Sequence, residues 1–177
     1  SQGGVNASIL YYEDDKIIAI HGKENIDTTS KGRLVCYRIP TEYPSGDKPI
    51  LLGEKDEVWR NDEHVSFSSS PVLHEDRVYS TIATGELLCV DAKTGGTLWS
   101  LKLAPDQLHA SPLFADGKLY VPMHDGKAFV VKPHDDRGEI LNEADMGAVC
   151  LAAPSAYDGK VYIQTKEALH CFGSEKG

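Results

Sequence analysis

Residues 68–103 read SSSPVLHEDRVYSTIATGELLCVDAKTGGTLWSLKL. Four short apolar runs stand out: Ser-Pro-Val-Leu, Arg-Val-Tyr-Ser-Thr, Leu-Leu-Cys-Val and Thr-Leu-Trp-Ser-Leu. They are separated by His74-Glu75-Asp76, by Ala83-Thr84-Gly85-Glu86 and by the stretch from Asp91 to Gly96. Short β-branched and aromatic runs bounded by polar turn residues signal strands joined by hairpins. No apolar stripe at helical spacing competes with that pattern. The stretch predicts one four-stranded antiparallel sheet.

The unit recurs. Pro71, Pro112 and Pro154 lie 41 and 42 residues apart, and each is followed eight residues later by Tyr79, Tyr120 or Tyr162. HASPLFADGKLYVPM and LAAPSAYDGKVYIQT superpose without a gap on FSSSPVLHEDRVYST. A degenerate first copy begins at Ala7-Ser8-Ile9, with Lys16-Ile17-Ile18 in the Arg-Val-Tyr place. A period of about 40 residues with four strands per copy marks a β-propeller, whose sheets must stack because none buries both faces alone. The expected fold is therefore all-β: a propeller fragment of about four four-stranded antiparallel blades in one domain, residues 7–173. The blades are expected at 7–62, 67–104, 109–146 and 150–173, with residues 1–6 as linker or added sequence. The last blade lacks an outer strand. Blade one carries insertions at Gly22–Lys31 and Pro40–Asp56.

Cys89, Asp91, Thr94, Gly95 and Trp99 form a motif that resembles the A-x-D-x-x-T-G-x-x-x-W repeat of the quinoprotein (PQQ-like) propeller family, with Cys89 in the usual Ala place. Asp91 and Thr94 can bond the turn's own backbone and Gly95 can supply φ > 0. Trp99 would then pack between blades from the outer strand. The first copy keeps Trp59, and the third has Leu141 in the Trp position. The resemblance implies a ring of seven or eight blades, so the chain reads as the C-terminal half of a longer, bacterial propeller protein. A homodimer of two half-rings would complete eight blades.

Composition narrows the function classes. With 18 Lys and Arg against 27 Asp and Glu, the net charge is −9 and no basic cluster is present, which argues against a nucleic-acid partner. No apolar run approaches the 18 residues of a membrane span. Cys36, Cys89 and Cys171 fall at equivalent places in separate copies, too far apart to bridge, and read as buried reduced thiols like Cys150.

Strand alternation puts the second-to-third-strand hairpins and the blade-to-blade connections on one loop face. That face collects Glu24, Asn25, Asp27, Arg33, His64, His109, His124 and Asp125 as candidate ligand-binding residues. Glu24, Asn25 and Asp27 could offer oxygens to calcium, and the three histidines could converge on zinc or copper, though solvated turns and hydrogen-bonded rim histidines are the plainer readings. Ser69, Ser70 and Ser111 could line a polar central channel. No nucleophile elbow and no catalytic set is visible, and no metal is assigned. The resemblance implies two functions. One is a non-catalytic scaffold for a protein or peptide, like the outer-membrane-assembly lipoproteins of this repeat family, periplasmic or secreted and without a cofactor. The other is part of a PQQ-dependent oxidoreductase whose quinone and calcium site needs the rest of the ring; that chemistry is usually accompanied by adjacent cysteines, absent here.

Overall fold

The computed structural model describes residues 6–25, 27–42 and 49–173. It contains fifteen β-strands and a single 3₁₀ turn at Glu54–Asp56 among the described residues. Blade one consists of β1 (Leu10–Tyr12), β2 (Lys16–Glu24), β3 (Lys31–Arg38) and β4 (Glu57–Asn61). Blade two has β5 (Val72–His74), β6 (Arg77–Thr81), β7 (Glu86–Asp91) and β8 (Thr97–Lys102). Blade three has β9 (Leu113–Ala115), β10 (Lys118–Pro122), β11 (Lys127–Pro133) and β12 (Gly138–Asp145). Blade four has only β13 (Ser155–Tyr157), β14 (Lys160–Gln164) and β15 (Leu169–Phe172). Every sheet is an antiparallel meander in chain order. The fold is an open set of propeller blades. In blade one the strands run into both ends of the expected hairpin insertion, with Glu24 paired to Lys31 beyond an irregularity after His21.

The first hairpin of each blade turns through a residue at φ near +50°: Glu13, Glu75, Asp116 and Asp158. The outer strands share a second device. A register shift places one extra residue opposite the third strand, at Val58, Leu98 and Leu141 in turn. This bulge sets the next residue inward. Cys36 is opposite Trp59, Cys89 opposite Trp99, and Val130 opposite Asn142. Asn142, not Leu141, therefore holds the Trp position of blade three, and Leu141 is 45% exposed in the bulge. Gap-free counting missed this because the blade-three turn is longer: residues 132–139 separate Val131 from its partner Ile140, against residues 91–96 between Val90 and Thr97.

Blades stack through their sheet faces. Ile18, Ile20, Leu34, Cys36 and Trp59 of blade one meet Val78, Leu88 and Val90 of blade two. Tyr79, Leu87, Cys89 and Trp99 meet Leu119, Val121, Phe129 and Val131 of blade three. The tryptophan and the motif glycine belong to the same seam from opposite sides. A Cβ on Gly95 would lie 2.4 Å from Trp59 Cε3, so Trp59 of blade one lies flat on the turn of blade two. Trp59 Nε1 also donates to the Ala92 carbonyl at 2.8 Å, and Trp99 Nε1 to the His134 carbonyl of blade three at 2.9 Å. At the third seam Asn142, Ala128 and Ala144 replace the bulky set. A cleft of about 100 Å³ remains there, lined also by Tyr120, Val161 and Phe172.

The cysteine expectation holds for three of four. Cys36, Cys89 and Cys150 are buried and unbridged, and burial pushes the Cys36 and Cys89 thiols up to about 11. Cys171, at the equivalent place in blade four, is exposed because no blade packs against that face.

Two substitutions test the seams. Gly95→Ala must fit φ +74° and clash with Trp59, whereas Gly117→Ala faces φ +66° with nothing within 4 Å. Chemical denaturation should show a loss of about 2–4 kcal/mol for the first and about 1 kcal/mol for the second; equal losses would mean Trp59 does not depend on the glycine. Asn142→Trp should fill the third seam and add about 1 kcal/mol of unfolding free energy, and no gain would show that the cleft is not a vacant Trp site.

Candidate functional site

Antiparallel meanders leave the β2–β3, β6–β7, β10–β11 and β14–β15 hairpins on the same face as the connections between blades. This loop face holds the sequence-derived candidates, in two separate groups. The first lies on blade one. Arg33, at the start of β3, is 7% exposed. Its guanidinium bonds Asp27 through both terminal nitrogens at 2.9 and 3.1 Å, and its Nε donates to Asp62 at 2.5 Å. Arg60 joins from β4, donating to Asp27 Oδ2, which it shares with Arg33, at 2.8 Å and to Glu57 at 2.6 and 2.7 Å. Hydrogen bonds from Arg33, then Arg60, hold the Asp27 carboxyl well below the usual carboxylate range.

Of the three residues with oxygens to offer, the network engages Asp27. Both Asp27 oxygens face arginines. Asn25, 7% exposed, turns its amide nitrogen to Ser30 O, Ser30 Oγ and Gly32 O at 3.0, 2.9 and 3.1 Å and so clamps its own loop. Glu24 contributes backbone pairing to Lys31 at the end of β2. The partners Arg60 and Asp62 escaped the sequence reading because β4 enters after a long insertion and only its register brings them beside Arg33.

The second group lies where blades two and three approach the propeller axis. His109 and His124 come together, with ring centroids 6.0 Å apart and nearly edge-on. His64 does not join them. It is 4% exposed, bonds Thr97 Oγ1 at 2.9 Å through Nε2, and burial lowers its pKa, so it stays neutral. Ser68 Oγ donates to the Leu108 carbonyl at 3.0 Å and lies 2.8 Å from His109 Nδ1. With its proton directed to that carbonyl, the hydroxyl accepts from Nδ1–H, which leaves His109 Nε2 as an acceptor. His124 Nδ1 is 4.0 Å from Asp106. Asp125 caps its own turn, accepting from the Lys127 amide at 3.1 Å.

Gln107, invisible to motif reasoning, fixes this corner. It is 1% exposed, donates to the Ala110 and Pro122 carbonyls at 3.0 Å each, and accepts the His124 amide at 3.0 Å. The serines also take a different role from channel lining. Ser69 is buried against Thr81 Oγ1 at 2.5 Å. Ser70 Oγ accepts the Ser8 amide and Ser111 Oγ accepts the Ser70 amide, each at 2.8 Å, so these hydroxyls tie each blade to the one before it.

On the opposite face, a cavity of about 540 Å³ opens between blades two and three. His74 stacks on Phe114 at 3.9 Å along its wall, and Arg77 lies between Asp91 and Asp135 at 3.9 and 3.6 Å. Among the described residues no trio of His, Cys, Asp or Glu is arranged to hold a metal ion. Trp59 and Trp99 are seam residues rather than the floor of a quinone pocket.

The motif residues act as the turn chemistry predicts. Asp91 Oδ1 accepts the Lys93 and Thr94 amides at 2.8 and 3.0 Å, and Thr94 Oγ1 accepts the Gly96 amide at 3.3 Å. No helix of the described residues is long and apolar enough to cross a membrane.

Burial also lowers the His21 pKa. For histidines held neutral by burial, the unfolded chain takes up protons first, so stability is full above about pH 6.5 and declines as the pH falls below it. The thermal midpoint should drop between pH 7.5 and 5.5. His64→Gln should flatten that slope, and an unchanged slope would exclude His64 as a contributor.

Comparison with known proteins follows the same lines. The sequence profile of the family described as outer membrane protein assembly factor BamB matches residues 52–165. No curated protein matches the chain in sequence. The crystal structure of BamB from Moraxella catarrhalis superposes with a TM-score of 0.66 at 12% identity, over 94% of this chain and 42% of that one. The computationally designed Ika4 protein superposes at 0.67 and 17% identity, over 98% of this chain and 95% of that one. Quinohemoprotein alcohol dehydrogenase ADHIIG from Pseudomonas putida HK5 gives 0.53 at 19% identity, over 62% of this chain and 19% of that one. At these identities the structures show a shared fold. The chain spans 42% of the length of the BamB structure.

Proposed function

Because this chain belongs to the PQQ-like β-propeller repeat family described as outer membrane protein assembly factor BamB, we propose that it is a non-catalytic scaffold that binds a protein partner on its loop face. One observation carries this reading: the polar residues that looked available for chemistry are bound to one another. Arg33 is clamped by Asp27 and Asp62, His64 by Thr97, and Ser70 and Ser111 by backbone amides of the preceding blades. The rigid loops left on that face carry an Arg–Asp network and the His109–His124 pair, recognition groups rather than a reaction centre. The proposed partner is an outer-membrane assembly protein met in the periplasm, by likeness to the BamB family. A homodimer completing eight blades is a second proposed partner state, independent of the scaffold role. A quinone-dependent oxidoreductase remains the competing reading, and its site would have to come from residues beyond those described.

Photo-crosslinking in the native cell tests the scaffold. A benzoylphenylalanine at Asp125 or Lys166, on the loop face, should give a discrete protein adduct, and one at Asp116 or Asp158, on the opposite face, should not. Adducts from neither loop position would overturn the proposal. A rise in thermal midpoint on adding quinone with calcium would instead favour the oxidoreductase.

A further inference from the structure

The first hairpin of every blade places a basic residue at the same register position. Lys16 pairs with Tyr12, Arg77 with His74, Lys118 with Ala115 and Lys160 with Tyr157. Lys16 turns back to Glu13 and Asp15 of its own hairpin, and Lys118 bonds Asp116 of its own at 2.7 Å. Arg77 does not. Its guanidinium reaches across the seam instead, into the cavity of about 540 Å³ between blades two and three. Asp91 and Asp135 stand 3.9 and 3.6 Å from it there. Both separations exceed a hydrogen bond, so among the described residues the guanidinium donors are unspent.

The corresponding corner of the first seam is closed. Tyr12 donates there to Asp76 Oδ1 at 3.0 Å, and Lys93 donates to the other oxygen at 2.5 Å. The second seam holds a flat wall in that place. His74, in the position of Tyr12, stacks on Phe114 at 3.9 Å, and Phe114 lies within 12° of parallel to Tyr79. Acceptors stand at the mouth. The Glu75 side chain is 83% exposed and that of Asp135 fully exposed, and neither carboxylate is hydrogen-bonded among the described residues. The cavity lies between the two middle blades, whose other faces pack against blade one and blade four.

The unspent groups select a ligand chemistry. A strong anion would meet Glu75, Asp91 and Asp135 beside a single arginine, and a cation would meet that arginine. A hydroxyl suits both, because it donates to a carboxylate and accepts from a guanidinium. The wall suits a ring whose C–H bonds, slightly positive, lie on the negative face of an aromatic. The volume falls within the range of about 300–1,000 Å³ usual for small-molecule sites. We propose that this cavity binds a neutral carbohydrate. Arg77 donates to its hydroxyls, Glu75 and Asp135 accept from them, and a sugar ring rests on the His74–Phe114 wall. The site is on the face away from the loop face and does not depend on the scaffold role.

Titration of the isotope-labelled chain with neutral disaccharides of glucose, galactose and N-acetylglucosamine, followed by amide chemical shifts, tests the site. At least one sugar should shift residues 74–79, 114–117 and 133–135 together. Asp135→Ala, at a fully exposed position, should weaken that binding by about tenfold with circular dichroism unchanged. Phe114→Leu, which keeps an apolar side chain and loses the flat wall, should weaken it by a similar factor. No shift from any of these sugars up to about 10 mM would overturn the proposal, as would shifts centred on other residues. Shifts at these residues from benzoate or from lysine amide, with none from the sugars, would show an anion or a cation site and overturn it too. Sugar binding that neither substitution weakens would remove the assigned contacts and with them the site.

Discussion

The contact on which the architecture turns is the tryptophan of one blade lying on the glycine turn of the next. Gly95 at φ +74° has no side chain where Trp59 packs, and Gly138 likewise stands 3.1 Å from Trp99 at its hypothetical Cβ. Each indole then hands its N–H to a carbonyl of the neighbouring turn. A repeat motif that looks like a feature of one blade is thus a statement about two. The aspartate, threonine and glycine shape a turn that receives the previous blade, and the tryptophan at the motif's end is delivered to the following one. An aromatic this large buries its area only when the facing backbone is bare.

A second ladder runs nearer the axis, where serine hydroxyls accept amides from the preceding blade. Together the two ladders account for much of the polar chemistry that the repeats carry. Buried polar groups in a stacked-sheet protein need partners, and here those partners come from the adjoining blade. Side chains that would be suggestive in isolation are therefore part of the stacking. The Arg33 network works in the same way within blade one, since Asp27 and Asp62 converge on a guanidinium that could not be buried alone, and Asp27 also accepts from Arg60.

Stacked repeats draw stability from their neighbours, so burial follows which blade stands alongside. Blade four shows this directly. Its Cys171 is exposed where Cys36 and Cys89 are fully buried, although all three sit at the same strand position. The third seam shows a milder version. Asn142 and two alanines leave a cleft where the other seams hold a tryptophan.

The strands, their order and the turn chemistry were legible in the amino-acid sequence because they are local. Alternating apolar runs, the Asp91–Trp99 motif and the period of about 40 residues specify a blade without reference to any other part of the chain. The seams were not legible, because they depend on which sheet stands beside which. A longer turn and the bulge beyond it put Asn142, not Leu141, in the Trp position. A long insertion hid that Arg60 and Asp62 would meet Arg33. Of three candidate histidines only His109 and His124 came together, while His64 was withdrawn into the packing beside Thr97. The sequence alone thus determined that this protein is built of propeller blades. The tertiary structure decided which polar residues hold those blades together, because that follows from contacts across seams between residues distant in the chain.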